Sequence, residues 1–495
     1  MIEKESDHNL IKPSDAVTWV FCVRRKWLDM HQAVDYVVDP FMQLLFDAGL
    51  QHEANILQQL QRHHDVHQAT SFDHTQALMR QGVSVIYQAR LLNREKGLVG
   101  FPDFLIRHNS GLYQAADAKL TRNKNKKALQ IQLGLYRKLL DNQLSAVVFL
   151  GDGGTACYGD EVDTHVNAFI QSMRRLRTQA EQPDVHYSHS RCRICPYFSY
   201  CQTQFESSES LSLLYGIHGR TAEHLIEVGI RTISQLATQQ AENIPDVPHL
   251  NGLQRKRRAI FQAQSIQNDK VFQLHEIVLP EGAWIHFDIE DNPLTPTCGR
   301  HVYLWGLFVP PYTASDYDYV WTDSEAMDYQ GWLAFLEKMK QYRRQYKTVV
   351  LAHYSNHEKT IIRKYAERYN MLDESVVQWL LGLDGEISPL FDMQKTVRDN
   401  LILPVQGYGL KDICKHPKLV NFQWEIEASG SQWSVVQFNN FLVADEHDRS
   451  RIKSELLAYN RDDVIATRKL ELWLRTLSTQ SAENSAVSSK HDVHG

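Results

Sequence analysis

The sequence predicts an α/β protein built from more than one domain, because two strand-rich stretches alternate with amphipathic helices and a helical segment separates them. At 495 residues the chain is also longer than one hydrophobic core normally supports. We therefore expect a first α/β domain at residues 1–205, a linker of short helices at 206–275 and a second α/β domain at 276–478. The small, polar residues 479–495 predict a disordered tail.

The composition is that of a globular protein, with 43% hydrophobic and 23% charged residues. The formal net charge is −6 at pH 7, so the chain as a whole does not attract polyanions, and any phosphate-binding surface must be local. The apolar runs are too short for a membrane span, and the N-terminus, MIEKESDHNL, lacks the apolar core of a signal peptide. The sequence thus predicts a cytoplasmic protein without a membrane partner.

The first domain is predicted to contain helices, then a strand hairpin, then a helix and a last strand. Apolar residues recur at helical spacing through residues 17–60. Strand-like patterns fill residues 83–119, with the turn HNSG between two of the strands. An amphipathic helix at 127–141 then precedes the strand SAVVFLGDGG. This order predicts a sheet with helices packed against it.

Two carboxylates and a lysine fall close together in this strand-rich part. Asp117 and Lys119 are two residues apart on a strand and therefore project from the same face, and the HNSG turn brings Asp103 back beside them. Carboxylates at this spacing can hold Mg²⁺ or Mn²⁺, while a lysine can offset negative charge on a phosphate. The plainer interpretation is a solvated sheet edge that ends in D-x-K.

Four short motifs surround these residues: GLQHE at 49–53, GFPDF at 100–104, DAK at 117–119 and QLGLY at 132–136. In this order they resemble the RecB-like nucleases of the PD-(D/E)XK superfamily, which have a restriction-endonuclease-like fold. The resemblance implies that His52, Asp103 and Asp117 are metal ligands. It also implies that Lys119 is the catalytic lysine and that Gln132 and Tyr136 are helper residues near the DNA backbone.

Seven cysteines occur, and Cys192, Cys195 and Cys201 have the C-x2-C-x5-C spacing of metal ligands. A zinc knuckle, or buried cysteines without a ligand, would also explain that spacing. Cys22 precedes the first domain's strands, and one such cysteine followed by C-x2-C-x5-C after the core resembles RecB-like nucleases with an iron–sulfur cluster. The resemblance implies that these four thiolates hold a [4Fe–4S] cluster with a structural role.

The linker has short helices joined by glycine turns, as in GIHGRTAEHLIEVGIRTISQLA, and is similar to helix–hairpin–helix units. In such units, backbone N–H groups at a helix N-terminus meet a phosphate. Lys256, Arg257 and Arg258 add local positive charge and are candidate nucleic-acid-binding residues. A helical spacer with a solvated basic face is the alternative interpretation.

A second group of acids lies in the second domain. Asp288 and Glu290 alternate on one face of the strand WIHFDIE, and acids that face a core are costly unless a cation neutralises them. Tyr459 and Asp463 occupy positions i and i+4 of a helix and share a face, and Glu358 lies near the start of another helix. Four carboxylates can clamp two divalent cations, with the tyrosine orienting or deprotonating the attacking water.

The motifs FDIE, HYSNHE and YNRDD, with FDMQ and YGLK as further landmarks, resemble RNase H-like 3′→5′ exonucleases with a D-E-D-D-Tyr signature. Glu358 is a departure, because that family usually has aspartate at this position. Asp462 competes with Asp463 for the last acid, and the spacing from Tyr459 favours Asp463. A degenerate domain that retains only binding is the alternative to a working exonuclease site.

The whole arrangement is similar to a family of RecB-like nucleases fused to an RNase H-like domain. The resemblance implies a metal-dependent nuclease that hydrolyses DNA, single-stranded or at ends, in repair, recombination or defence. Nucleic acid is the expected partner, with DNA preferred to RNA, and a helicase is a candidate protein partner. An RNA-processing 3′→5′ exonuclease and a DNA-end-binding adaptor with degenerate sites are the alternatives.

Overall fold

Two mixed β-sheets organise the chain, one in each of its two units, Met1–Val185 and His186–Gly495. The computed structural model describes residues 10–32, 39–295, 300–427 and 430–491. Strands alternate with helices in both units, as the sequence predicts for an α/β protein. None of the helices in these described ranges has the length and hydropathy needed to cross a bilayer.

The first unit has a six-stranded sheet in the order β1-β2-β5-β6-β7-β8, in which β1–β2 and β6–β7 are parallel pairs. Its strands are β1 (Val66–Gln68), β2 (Val85–Tyr87), β3 (Leu91–Asn93), β4 (Leu98–Gly100), β5 (Phe104–Arg107), β6 (Tyr113–Lys119), β7 (Ala146–Leu150) and β8 (Thr155–Tyr158). Its helices are α1 (Asp15–Phe21), α2 (Val23–His31), α3 (Pro40–Gln61), α4 (Phe72–Gln81), α5 (Lys127–Leu140) and α6 (Asp163–Thr178).

The β5–β6 hairpin carries the first predicted site. The strands pair antiparallel, with Phe104 opposite Ala116, and the turn between them uses Gly111 at φ +84°. Ala116 and Ala118 lie in a core cluster with Ile56 of α3. Because successive residues of a strand point to opposite faces, the residues that alternate with these alanines project away from α3.

The second unit has a five-stranded sheet in the order β12-β11-β10-β13-β14 and a separate β15–β9 pair. Its strands are β9 (Phe272–Gln273), β10 (Ala283–Asn292), β11 (His301–Phe308), β12 (Tyr317–Trp321), β13 (Val349–His353), β14 (Leu390–Asp392) and β15 (Leu401–Ile402). Its helices are α7 (His189–Cys192), α8 (Phe198–Ser207), α9 (Gly219–Glu227), α10 (Ile233–Ala237), α11 (Leu253–Asn268), α12 (Asp328–Gln345), α13 (His357–Arg368), α14 (Ser375–Leu381), α15 (Met393–Asn400), α16 (Leu410–Cys414), α17 (Ser431–Val443) and α18 (Glu446–His491).

Strand β10 is central in this sheet and has different neighbours on its two faces. Phe287 and Ile289 pack in a cluster with Phe335 of α12 and Ile362 of α13. The residues that alternate with them face the other side of the sheet, where α18 packs against β10 and β11. The second predicted acid group lies on this side.

The structure differs from the predicted domain limits at two places. Residues 186–205 are grouped with the second unit, where the Tyr187 N–H donates to Ser212 Oγ at 2.9 Å. Helix α18 continues past residue 479, where the sequence predicts a disordered tail, and ends at His491. The helix can continue because residues 479–491 contain neither proline nor glycine.

Candidate active sites

The carboxylates of Asp103 and Asp117 both accept hydrogen bonds from backbone N–H groups of these two neighbouring segments. The Asp103 N–H donates to Asp117 Oδ1 (3.0 Å), and the Ala118 N–H donates to Asp103 Oδ2 (2.8 Å). Asp117 lies on β6, whereas Asp103, which the sequence predicts within a strand, lies in the bend directly before β5. The strand starts late because Pro102 has no N–H to donate to a ladder.

Lys119 completes this group on the same face of β6. Its Nζ lies 2.9 Å from Asp117 Oδ2 and 3.6 Å from Asp103 Oδ2. Burial, together with the charge of Asp117, raises the pKa of Asp103 to about 7. Burial disfavours the charged form of Lys119, but the two carboxylates outweigh it and raise the pKa of Lys119. The carboxylates carry more negative charge than one lysine neutralises, which fits a divalent cation.

Helix α3 carries His52 and Glu53, the imidazole and acidic side chains of the first motif. His52 Nε2 lies 3.1 Å from the Phe149 carbonyl oxygen, so Nδ1 is the ring nitrogen left for a cation. The Tyr87 hydroxyl donates to Glu53 Oε1 at 2.9 Å. The charge of Glu53 adds to the effect of burial in raising the pKa of Asp103, so Glu53 lies within electrostatic range of the site. The sequence motif contains Glu53, but sequence analysis gave it no role.

Three carboxylates of the second unit meet where α18 packs against β10. Asp288 and Glu290 lie on β10 and Asp463 lies on α18, and one oxygen from each lies within 4.8 Å of the others. We call these three residues the acid cluster. Gly306 of β11 pairs with Asp288, and a Cβ at this glycine would collide with Asn460 Oδ1. Glycine is therefore needed for α18 to approach the sheet this closely.

Burial and mutual repulsion disfavour three charged carboxylates in the acid cluster. Burial, followed by the charge of Asp463, raises the pKa of Glu290 to about 8. Burial also raises the pKa of Asp463 to about 6. For Asp288, burial and the charges of Asp463 and Glu290 raise the pKa well above its ordinary value. A divalent cation between these oxygens would remove the repulsion, so the residues fit Mg²⁺ or Mn²⁺.

Each acid of the cluster accepts a hydrogen bond from a neighbouring side chain. The donors are Asn460 Nδ2 to Asp288 (2.8 Å), Ser434 Oγ to Glu290 (2.6 Å) and Trp424 Nε1 to Asp463 (2.7 Å). None of these three donors was predicted from the sequence. Asn460 could have been found because it belongs to the YNRDD motif, whereas Ser434 on α17 and Trp424 in a loop after α16 carry no local signal.

Glu358, the predicted fourth acid, is close to the acid cluster but is not one of its members. It lies on α13 and is 3% exposed. Its Oε2 lies 3.3 Å from His353 Nδ1, and within the described residues this oxygen has no hydrogen-bond partner. After burial and the cluster's own charges, the charge of Glu358 further raises the pKa of Asp288. The carboxylate is thus near enough to interact electrostatically with the cluster.

Tyr459 lies beside the acid cluster, on the same helix as Asp463. Lys411 Nζ donates to the Tyr459 hydroxyl at 3.0 Å and lies 4.5 Å from the centre of its ring. Burial, followed by the charge of Asp463, raises the pKa of Tyr459 above its ordinary value, so the phenol keeps its proton at neutral pH. A protonated phenol can orient water but cannot deprotonate it. Asp462 accepts from the Glu425 N–H at 2.7 Å and does not belong to the cluster.

Comparison with known families gives one match in each half of the chain. Residues 22–202 match a family model of the PD-(D/E)XK nuclease superfamily, and residues 285–475 match one of the RNase H superfamily. The chain carries a domain of each superfamily. A search of curated proteins gave no match to the chain. The predicted α/β fold, with a PD-(D/E)XK domain followed by an RNase H-like domain, is confirmed, and nuclease domains of these superfamilies indicate a nucleic-acid substrate.

In the PD-(D/E)XK domain, the side chains of Gln132 and Tyr136 form hydrogen bonds within the protein. Gln132 Nε2 donates to Asp117 Oδ2 at 2.8 Å, and the Tyr136 hydroxyl donates to the Phe101 carbonyl at 3.1 Å. Both side chains are buried, because they lie on the face of α5 that packs on the sheet. Gln132 thus contacts Asp117 directly, and the contact of either residue with nucleic acid stays a prediction.

Gln132→Leu should reduce cutting by the PD-(D/E)XK domain about 10- to 100-fold, because Asp117 loses the amide that orients one of its oxygens. Binding of Mn²⁺, followed by calorimetry, should weaken in parallel. Gln130→Leu on the same helix is the matched control and should leave both quantities near their parental values. Equal rates for the two variants would contradict this role of Gln132.

Each of the three basic residues of the helical linker has a partner within the protein. Lys256 is 7% exposed. The partners of Lys256, Arg257 and Arg258 are, respectively, Asp246 (2.7 Å), Glu242 (2.9 Å) and the Arg398 carbonyl. Their contact with nucleic acid stays a prediction. Consecutive residues of α11 point about 100° apart, so three in a row cannot share one exposed face.

The cysteines predicted to hold an iron–sulfur cluster lie at or near helix ends. Cys22 separates α1 from α2 in the first unit, with an extended backbone that interrupts the helix. In the second unit, Cys192 ends α7, Cys195 lies in the following bend and Cys201 lies on α8. The cluster itself stays a prediction that rests on the spacing of these residues.

Two residues that flank Cys192 contact the short helix α16, which carries Lys411. His189 Nε2 lies 3.1 Å from Asp412 Oδ2, and Arg193 Nη1 donates to Asp412 Oδ1 at 2.7 Å. Burial alone would raise the pKa of Asp412, but the hydrogen bond from His189 and the charge of Arg193 hold it below its ordinary value. The cysteine segment therefore helps to fix the helix from which Lys411 reaches Tyr459.

Proposed function

We propose that the chain is a metal-dependent nuclease that hydrolyses phosphodiester bonds of DNA at two separate sites, on single strands or at ends. The observation that carries the proposal is the group of Asp103, Asp117 and Lys119, in which each carboxylate lies within 3.6 Å of the ammonium. Asp117 is 0% exposed, which argues against the interpretation of D-x-K as a solvated sheet edge.

At the first site, His52, Asp103 and Asp117 would hold Mg²⁺ or Mn²⁺. When bound, such a cation polarises the phosphate and lowers the pKa of a water molecule. Lys119 offsets the negative charge that develops on the phosphate, since its ammonium lies 2.9 Å from Asp117 on the same face of β6. Gln132 keeps the Asp117 carboxylate in place.

At the second site, the acid cluster with Glu358 would hold divalent cations as in a D-E-D-D-Tyr 3′→5′ exonuclease. The buried Glu358 Oε2, which lacks a hydrogen-bond partner among the described residues, is an oxygen that a cation would satisfy. Tyr459 accepts from Lys411, so its own O–H is left to donate to water or phosphate and to orient the attack.

The order of the four PD-(D/E)XK motifs, which resembles RecB-like nucleases, supports DNA as the substrate and DNA repair, recombination or defence as the process. A helicase is the candidate protein partner. A panel of end-labelled single- and double-stranded DNA and RNA, incubated with Mn²⁺, tests the substrate. We expect shortened DNA products. Products from RNA alone would favour an RNA-processing exonuclease, and bound but uncut DNA would favour an end-binding adaptor.

We further propose a [4Fe–4S] cluster on Cys22, Cys192, Cys195 and Cys201, based on their spacing in the sequence. Protein purified without oxygen should be brown and should contain iron and inorganic sulfide. Cys22→Ser should remove iron and should lower the thermal stability more than Cys157→Ser does. The reason is that a cluster with this ligand closes a long chain segment, whereas Cys157 is exposed. Zinc without iron or sulfide in such a preparation would contradict the cluster.

A further inference from the structure

An exposed aromatic residue lies in the segment that carries Asp103 of the first site. Phe101 is 51% exposed, and it precedes Asp103 by two residues in the segment between β4 and β5. Single exposed apolar residues are ordinary on protein surfaces, so exposure alone says little. The position of Phe101 in the segment that carries a catalytic carboxylate, and the way its backbone is held, give the ring a more specific meaning.

The backbone that carries Phe101 is fixed on both sides of the ring. Gly100 lies so close to helix α5 that a Cβ there would stand 2.6 Å from Leu139 Cδ1 and 3.0 Å from Tyr136 Cε1. The buried Tyr136 hydroxyl donates to the Phe101 carbonyl at 3.1 Å. Pro102, which follows, is buried and has a restricted φ. The ring is therefore presented from a fixed point and needs little ordering before it binds a ligand.

A positive charge accompanies the ring. The Arg90 guanidinium carbon lies 5.8 Å from the centre of the Phe101 ring. The Arg90 backbone is itself anchored, because its N–H donates to Thr75 Oγ1 at 3.0 Å. An aromatic face next to a guanidinium is the pair of groups that binds unpaired nucleobases and their phosphates.

We propose that Phe101 and Arg90 form a nucleobase-stacking platform that selects single-stranded nucleic acid for the first site. The proposal rests on the proposed nuclease function and adds to it a residue-level basis for strand preference. Bases in a duplex stack on one another, whereas an unpaired base can place its face on the Phe101 ring. The residue that would hold the unpaired base, Phe101, thus lies two residues before Asp103 in the chain.

Binding in a background that carries both Lys119→Ala and Asp288→Ala, where the oligonucleotide should stay intact, tests the platform. Fluorescence anisotropy should show that Phe101→Ala weakens binding of a single strand about 5- to 150-fold, the equivalent of roughly 1–3 kcal/mol per stacked base. Phe101→Trp should retain the affinity. Leu112→Ala is the matched control, since Leu112 is 48% exposed in the β5–β6 turn, and it should leave binding unchanged.

A second test uses a set of single strands, each with one abasic nucleotide at a different position. A structural defect in the variant would not produce a dependence on this position. At one position, removal of the base should erase the difference between the parent and Phe101→Ala, because the stacking partner is gone. Duplex binding and the thermal unfolding temperature should not change with Phe101→Ala.

The outcomes separate the platform from the proposed function. If the parent binds and cuts single strands but Phe101→Ala behaves like Leu112→Ala, the platform is wrong and the nuclease stands. Equal weakening on single strands and duplexes would also overturn it. A parent that neither binds nor cuts any nucleic acid would overturn the proposed function and the platform together.

Discussion

Lys119→Ala, made in a protein that already carries Asp288→Ala, is expected to slow DNA cutting by about 10²- to 10³-fold. Lys119 is the one cation within 3.6 Å of both Asp103 and Asp117 among the described residues, so no neighbour can replace its charge on the phosphate. DNA binding should stay near the parental level, because the lysine acts on charge that develops during the reaction. Single-turnover cutting and anisotropy measure the two quantities separately.

Lys96→Ala is the control for this substitution. Lys96 belongs to the same domain and also pairs with an aspartate, Asp141, at 2.6 Å, but it lies outside the predicted site. Its loss should leave cutting unchanged. Lys119→Arg should recover only part of the rate, because a guanidinium keeps the charge but not the compact geometry of an ammonium. If the Lys119→Ala protein cut DNA at the parental rate, the first site would not be a nuclease active site.

Asp288→Ala, made in a Lys119→Ala background, is expected to reduce 3′ trimming by more than about 10³-fold, because a bound cation contributes several kcal/mol to such reactions. Asp288 supplies one of the three ligand oxygens of the acid cluster that lie within 4.8 Å of one another, so its loss leaves the cluster with two. Mn²⁺ binding at this site should be lost as well.

Tyr459→Phe separates water positioning from metal binding at the same site. The phenyl ring of the variant still packs beside Lys411. The substitution removes only the hydroxyl that accepts the hydrogen bond from Lys411. Trimming should therefore slow while Mn²⁺ binding persists. A Lys119→Ala protein with no 3′ trimming on any DNA or RNA would contradict a working second site and would favour a domain that only binds nucleic acid.

The parts of the sites that follow local periodicity were predictable from the sequence. Alternation along a strand placed Asp117 with Lys119 and Asp288 with Glu290, and helical spacing placed Tyr459 near Asp463. These relations depend on backbone geometry within a few residues, which tertiary packing does not change.

The remaining features depend on contacts between distant segments. Ser434 and Trp424 reach the acid cluster from a helix and a loop whose sequences carry no sign of it. Lys256 faces the protein because α11 packs on that side, which a run of three basic letters does not reveal. Glu358 lies on the predicted helix, but its distance from the cluster depends on how β13 and α13 pack.

One measurement tests the central claim, that the chain carries two independent nuclease sites, most directly. The parent, Lys119→Ala, Asp288→Ala and the double variant are incubated with 5′-labelled single-stranded DNA and Mn²⁺, and their products are resolved at single-nucleotide length. The account predicts cutting by the parent, a different residual product pattern for each single variant, and no products from the double variant. Parental cutting by the double variant, or intact DNA with the parent, would contradict it.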